Sequence, residues 1–323
     1  RKKKLNKDDV PVLEFRKQCR DFAQEWIEIQ RKEFKRLGVI GDWDNPYTTM
    51  HYNSEAQIVR ELGKFLENGG LYKGHRPVLW SVVEKTALAD AEVEYQEHKS
   101  TTIYAKFPIA KTNLDKLNNH SIVIWTTTPW TIPGNRALAV HNEIKYVSLN
   151  IRSENSNEDI IIAEGLVDNF LKENKILESN VNFSLTGNEL LNTSCYHTLF
   201  KSGYDFMVPI LHGDFVTTEQ GTGIVHICPV HGMDDFILGK QHNLELPMTI
   251  DEGGIYYEHI PVFAGKHIFK VDPEVCDEIE KCNNLISKGQ LIHSYPHSWR
   301  SKAPLVYKNT SQWFISMETN DLR

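Results

Sequence analysis

The chain has 323 residues, 40% of them hydrophobic and 24% charged, with a formal net charge of −7. That length suggests about two domains, and the apolar fraction is enough for a packed core. No run of about 18 apolar residues occurs, so no membrane-spanning helix is expected. The overall acidity argues against general affinity for nucleic acid, although residues 1–40 hold twelve lysines and arginines against seven acids. Five scattered cysteines (Cys19, Cys195, Cys228, Cys276, Cys282) form no CxxC pair and read as reduced thiols of a cytoplasmic protein. Arg1-Lys2-Lys3-Lys4 has no apolar run behind it and does not read as a signal peptide.

The first predicted element is a helix over 12–37. Leu13, Phe15, Cys19, Phe22, Trp26, Ile29, Phe34 and Leu37 recur mostly every three or four residues, and Gly38 stops it. Gly41 to Pro46 reads as a loop. Ser54 is placed to cap a second helix carrying Ile58, Leu62, Phe65 and Leu66 and ending near Gly69-Gly70. Residues 71–100 read as short strands and turns. Apolar runs predict strands at 121–125, 137–140, 146–151, 159–163, 208–211 and 223–228, with a polar loop from Ser153 to Asp159. Helices are expected near 165–174, 187–192, 233–243 and 273–288, and residues 293–323 return to strand. The expected fold is α+β, a barrel-like domain over 101–292. Helical and β-ribbon pieces at 1–100 and 293–323 flank it, and these should pair as antiparallel ribbons, because an inserted domain enters and leaves its host at neighbouring points.

Two segments carry the chemistry. The first is Trp125-Thr126-Thr127-Thr128-Pro129-Trp130-Thr131-Ile132-Pro133-Gly134-Asn135, after the strand-like Ser121-Ile122-Val123-Ile124. Three hydroxyls before a proline suit a strand end aimed into a cleft, or a turn that satisfies its own backbone. The second is Gly221-Thr222-Gly223-Ile224-Val225-His226-Ile227-Cys228-Pro229-Val230-His231-Gly232-Met233-Asp234-Asp235. Asp234 and Asp235 fit a cationic-group anchor, through charge-assisted hydrogen bonds, or helix N-terminal carboxylates stabilised by the dipole. His226 is either a satisfied core imidazole or a site residue. The spacing of His226 and His231, interrupted by Pro229, is not that of a helical zinc pair, and no metal is expected there. No serine or cysteine sits in a nucleophile elbow, so a covalent acyl-enzyme is not expected.

Together the two segments resemble the editing domain of the isoleucyl-tRNA synthetases, class I aminoacyl-tRNA synthetases. The Thr-Thr-Thr-Pro-Trp-Thr form looks like that group, and the valyl and leucyl relatives typically carry an arginine before the proline. Further likeness lies in Leu37 to Tyr47, Thr86 to Tyr95, Ser294 to Arg300 and Gln312 to Met317. The glycine-rich, HIGH-type and KMSKS-type signatures of the synthetic core are missing, so adenylate synthesis is not expected of this chain.

The resemblance implies ester hydrolysis of valine wrongly attached to isoleucine tRNA. Its implied partners are that tRNA and the remaining catalytic and anticodon-binding domains of the same enzyme. It implies no cofactor for editing, and ATP with magnesium only for the whole synthetase. It implies catalytic roles for Thr126, Thr127, Thr128, His226 and Asp235. In that scheme Asp235 holds the α-amino group and His226 lines the pocket and rejects the larger side chain. Trp130, Asn135, His231 and Asp234 are the further substrate-binding candidates. Relatives often carry cysteine knuckles near Trp80 and in a Pro-His-Cys-Trp-Arg element; here the comparable positions are Ser81, Ser298 and Ser301. A structural zinc is not expected.

Overall fold

A computed structural model describes residues 9–152 and 157–322. The basic start Arg1–Lys4 and most of the predicted polar loop, 153–156, lie outside the described residues. The chain divides into two compact units, one formed by Arg1–Gly74 with Trp313–Arg323 and one by His75–Gln312.

The first unit carries α1, Val12–Arg36, and α2, Tyr52–Glu67. Both are amphipathic as their spacing predicts. Phe22, Trp26 and Phe34 nevertheless stay substantially exposed. The α2 cap is one turn earlier than expected. The His51 ring accepts from Asn53 N at 3.4 Å, and Ser54 lies inside the helix. Any acceptor with the right reach can satisfy a free first-turn N–H, so the familiar cap residues are not a unique signal.

The strands are β1 (Leu71–Ser81), β2 (Thr86–Ala87), β3 (Val93–Lys111), β4 (Ser121–Thr126), β5 (Ala137–Val140), β6 (Lys145–Arg152) and β7 (Asn157–Ala163). After α3 (Val167–Glu173) come β8 (Glu178–Thr186), α4 (Gly187–Leu190), β9 (Ser194–Tyr196), β10 (Met207–His212) and β11 (Val225–Ile227). The chain then runs through α5 (Met233–Gln241), α6 (Ile268–Lys281), β12 (Leu285–Ser298) and β13 (Val306–Ile315).

The architecture is mixed α+β. Its main sheet runs β11-β5-β10-β9-β3-β4-β7-β6-β8, with β12 also on β3. The pairs β5–β10 and β4–β7 are parallel and the others antiparallel. The barrel-like α+β domain expected from sequence takes the form of this large mixed sheet, which does not close on itself. Closure needs the two end strands to pair along their length. One end strand here, β11, spans only three residues, and the other, β8, is largely exposed.

The expected ribbon is present. β3 and β12 pair antiparallel from Val93↔Ser298 to Ala105↔Leu285. It is continuous with the main sheet, so the expected boundaries at 100 and 292 fall inside β3 and β12. The helix predicted for 273–288 starts earlier, at Ile268, and gives way to strand at Leu285. Ile103, Phe107, Ile122, Ile124 and Leu138 are fully buried and anchor the core on which the site rests.

Candidate active site and its family

The threonine segment leaves β4 at Thr126 and enters a 3-10 turn over Pro129–Gly134, with Pro129 at its first position. Proline is tolerated there because that N–H would lack an intrahelical partner anyway. Hydroxyls chain through the turn. Thr126 Oγ1 is 3.2 Å from Thr128 Oγ1 and accepts from Thr128 N at 3.1 Å. Thr131 Oγ1 donates to the Thr128 carbonyl at 2.8 Å. Part of the set therefore does satisfy its own backbone.

His226, on β11 and buried, supports this turn. Its Nε2 lies 2.8 Å from Thr131 Oγ1 and its Nδ1 lies 3.3 Å from Asn135 Nδ2. Since Thr131 gives its proton to a carbonyl, the imidazole donates from Nε2 and accepts at Nδ1. Burial, with His231 adding like charge, pushes its pKa down to about 4. His226 is thus a neutral ring with both nitrogens engaged. Asn135, fully buried, also donates to the Ala137 carbonyl at 2.8 Å, and its Oδ1 has no protein partner among the described residues.

His231 is fixed the same way. It lies 2.6 Å from Thr249 Oγ1 and 2.8 Å from the Tyr307 carbonyl, and meets Trp130 edge-on at 4.7 Å between ring centroids. Asp234 and Asp235 open α5. Asp234 is exposed. Asp235 Oδ2 accepts from Cys228 N at 2.7 Å, and Gly232 packs so tightly on its carboxyl that an added Cβ would lie 2.8 Å from Cγ. Burial, with a further push from Asp234, raises Asp235 to about 7. Cys228 is a buried thiol whose pKa burial, reinforced by Asp235, raises well above the usual range. It is therefore no thiolate nucleophile.

Beside the turn opens a cleft of about 570 Å³, lined among others by Thr127, Thr128, Trp130, His98, Asp272 and Tyr295. The structure brings Thr127, Thr128 and Trp130 to its wall. Thr126, His226, Asn135, His231, Asp234 and Asp235 are not among the lining residues. Asp272, on α6, was not foreseen. Its Oδ1 accepts from Trp130 N at 3.2 Å, Thr101 also donates to it, and burial outweighs those bonds to raise it to about 6. Tyr256 donates to the Trp130 carbonyl, so both backbone polar groups of Trp130 are held. Nothing in a single helical run marks one aspartate as cleft-facing. A position in α6 four residues after the apolar Ile268 was the only available hint.

Where relatives were expected to carry metal-binding cysteines, this chain closes on itself. Ser81 and Ser298, both fully buried, donate to the two oxygens of Glu84, Ser298 at 3.1 Å. Ser301 is a third donor. Burial alone would raise the Glu84 pKa, but these hydroxyls hold it below the ordinary carboxylate value. Three hydroxyls and one carboxylate, already satisfied by each other, do not fit zinc.

The family model for class I tRNA synthetases (I, L, M and V) matches residues 1–322. The chain belongs to that family. Among curated relatives, isoleucine–tRNA ligase of Pelagibacter ubique is 52% identical over all of this chain and 36% of its own length. That of Gluconobacter oxydans is 48% identical over 98% of this chain and 35% of its own length. That of Rhodopseudomonas palustris is 44% identical over 97% and 33%. The chain thus spans about a third of the length of these relatives. Among solved structures, the crystal structure of GlLeuRS-CP1 matches 58% of this chain and 99% of its own with a TM-score of 0.44 and 16% identity. No helix among the described residues is long and apolar enough to cross a membrane.

Proposed function

We propose that this chain is the hydrolytic editing portion of an isoleucyl-tRNA synthetase, removing valine esterified to the terminal adenosine of isoleucine tRNA. The observation that carries this reading is the cleft walled by Thr127, Thr128 and Trp130, seated on the buried Thr131–His226–Asn135 network. The family and the ligase relatives supply the context.

The need follows from binding energetics. One missing methylene is worth about 1–3 kcal/mol in an apolar pocket, and isoleucine against valine is the standard instance of that limit. A second, hydrolytic sieve then removes the error. In the proposed reaction a water adds to the ester carbonyl, the C–O bond to ribose breaks, and the freed ribose oxygen takes a proton. Thr127 and Thr128 hydroxyls orient water and carbonyl. Asp235, braced by Cys228 N behind the lining residues, is assigned the substrate's ammonium group, which its other oxygen would take where the amino end passes beyond the cleft wall. His226 sets the depth of the threonine turn and thereby the size of side chain admitted. No metal or cofactor enters these steps. ATP and magnesium belong to the synthetic half of the whole enzyme, whose other catalytic and anticodon-binding domains are the remaining partners. A cytoplasmic site of action goes with the reading.

The test is deacylation of valyl- and isoleucyl-tRNA(Ile) with and without chelator. Hydrolysis of the valyl ester alone, insensitive to chelator, is expected. Tight binding without hydrolysis would favour a docking module, and loss of activity with chelator a metallohydrolase.

A further inference from the structure

The cleft has a charge layout that the hydrolytic reading leaves unused. Asp272 sits half-buried in its wall, while Lys99 and Lys270 are exposed lining residues without an ion-pair partner among the described residues. Trp130 and Tyr295 add two aromatic surfaces. One acid inside, two cations outside and aromatic faces between them match a ribonucleotide. A carboxylate accepts from sugar hydroxyls, ammonium groups meet the phosphate, and rings stack on a base.

Resting on the editing proposal, we infer that Asp272 is a substrate-binding residue that accepts a hydrogen bond from the free ribose hydroxyl next to the aminoacyl ester. Each Asp272 oxygen has two lone-pair sites. Trp130 N occupies one on Oδ1, and the Thr101 hydroxyl is the other recorded donor, so acceptor capacity remains toward the cleft. The same contacts fix the carboxylate's orientation before substrate arrives. Because Trp130 N and the ribose share Asp272, the nucleoside is registered directly against the threonine turn.

The probes are 3′-valylamino-3′-deoxyadenosine, a non-hydrolysable amide, and the same compound lacking the 2′-hydroxyl. Their affinities for the 323-residue chain are measured by calorimetry, with valyl-tRNA deacylation in parallel. Wild type should prefer the hydroxyl-bearing probe about tenfold or more, the size expected of a hydrogen bond to a charged acceptor. Asp272→Asn keeps an acceptor for Trp130 N but should shrink the preference to about threefold or less. Thr101→Val, which leaves the carboxylate in place, should retain the preference and guards against a misfolded Asn variant. An unchanged preference in Asp272→Asn overturns the assignment while leaving the editing proposal standing if deacylation persists. Equal loss of affinity for both probes would place the ammonium group at Asp272 and overturns it too. A wild type that binds neither probe and hydrolyses nothing sinks the underlying reading as well.

Discussion

Thr131 Oγ1 and His226 Nε2 lie 2.8 Å apart, joining residues 95 positions apart in sequence and tying the threonine turn to the strand beneath it. The contact makes His226 a prop for the turn, and the consequences of removing it are specific.

His226→Ala should let the turn settle and admit a larger side chain. The variant should begin to hydrolyse isoleucyl-tRNA(Ile) while retaining valyl activity. Leaving Thr131 and Asn135 without their partner should also cost about 1–3 kcal/mol of stability. Loss of valyl activity with no gain of isoleucyl activity would instead favour direct participation of the imidazole.

Acid should destabilise the fold through the same ring. His226 is held near 4, below its ordinary 6.5, because burial disfavours the cation. The native state therefore binds fewer protons than the unfolded chain between those values. The stability that the neutral ring contributes is present above about pH 6.5 and is lost as pH falls toward 4. His231 and His197, also pushed down by burial, act in the same direction. Melting temperatures of wild type and His226→Asn across this range should converge as pH falls.

Asp235→Ala should abolish most deacylation, because a desolvated charge partner is typically worth several kcal/mol. With its pKa near 7, the wild-type rate should rise with pH through neutrality as the anchor ionises, and Asp235→Asn should flatten that rise. On stability the sign is opposite. The raised carboxyl favours the fold most at low pH, and that contribution fades as pH rises through 7. A wild-type rate in the alanine variant would remove Asp235 from the mechanism.

Gly134 packs where no larger residue fits: an added Cβ would lie 2.5 Å from Cys228 Sγ and 3.1 Å from Thr249 Cγ2. Gly134→Ala should cost about 1–3 kcal/mol by overpacking. The double variant with Cys228→Ala should recover part of that in thermal melts. Additive losses would show that the two sites do not touch.

Most strands were legible because apolar runs between turn signals are local features, and the existence of a ribbon because an inserted domain enters and leaves its host at neighbouring points. The full extent of β3 was not legible, since its first third, Val93–Lys99, is a mostly polar, largely exposed run that only pairing with β12 orders. The end of α6 was missed for a similar reason. Leu285 and Ile286 continue an apolar pattern, but their backbone joins β3. At the site, the motif residues could be named, yet their separation could not. Thr127, Thr128 and Trp130 face the cleft while His226 and Asp235 brace the backbone around it. Asp272 belongs to no motif and became visible only when α6 packed beside the threonine turn.

The Ser81–Glu84–Ser298 clasp ties together two strand ends more than two hundred positions apart through hydroxyls and one carboxylate. A cysteine knuckle fails when its sulfurs oxidise or when zinc is scarce. The clasp's hydroxyls and carboxylate offer an oxidant no sulfur to attack, so the contacts at this corner of the fold do not change with redox stress. Its vulnerability lies elsewhere, in strong acid, where Glu84 gains a proton and the hydroxyls lose their common acceptor.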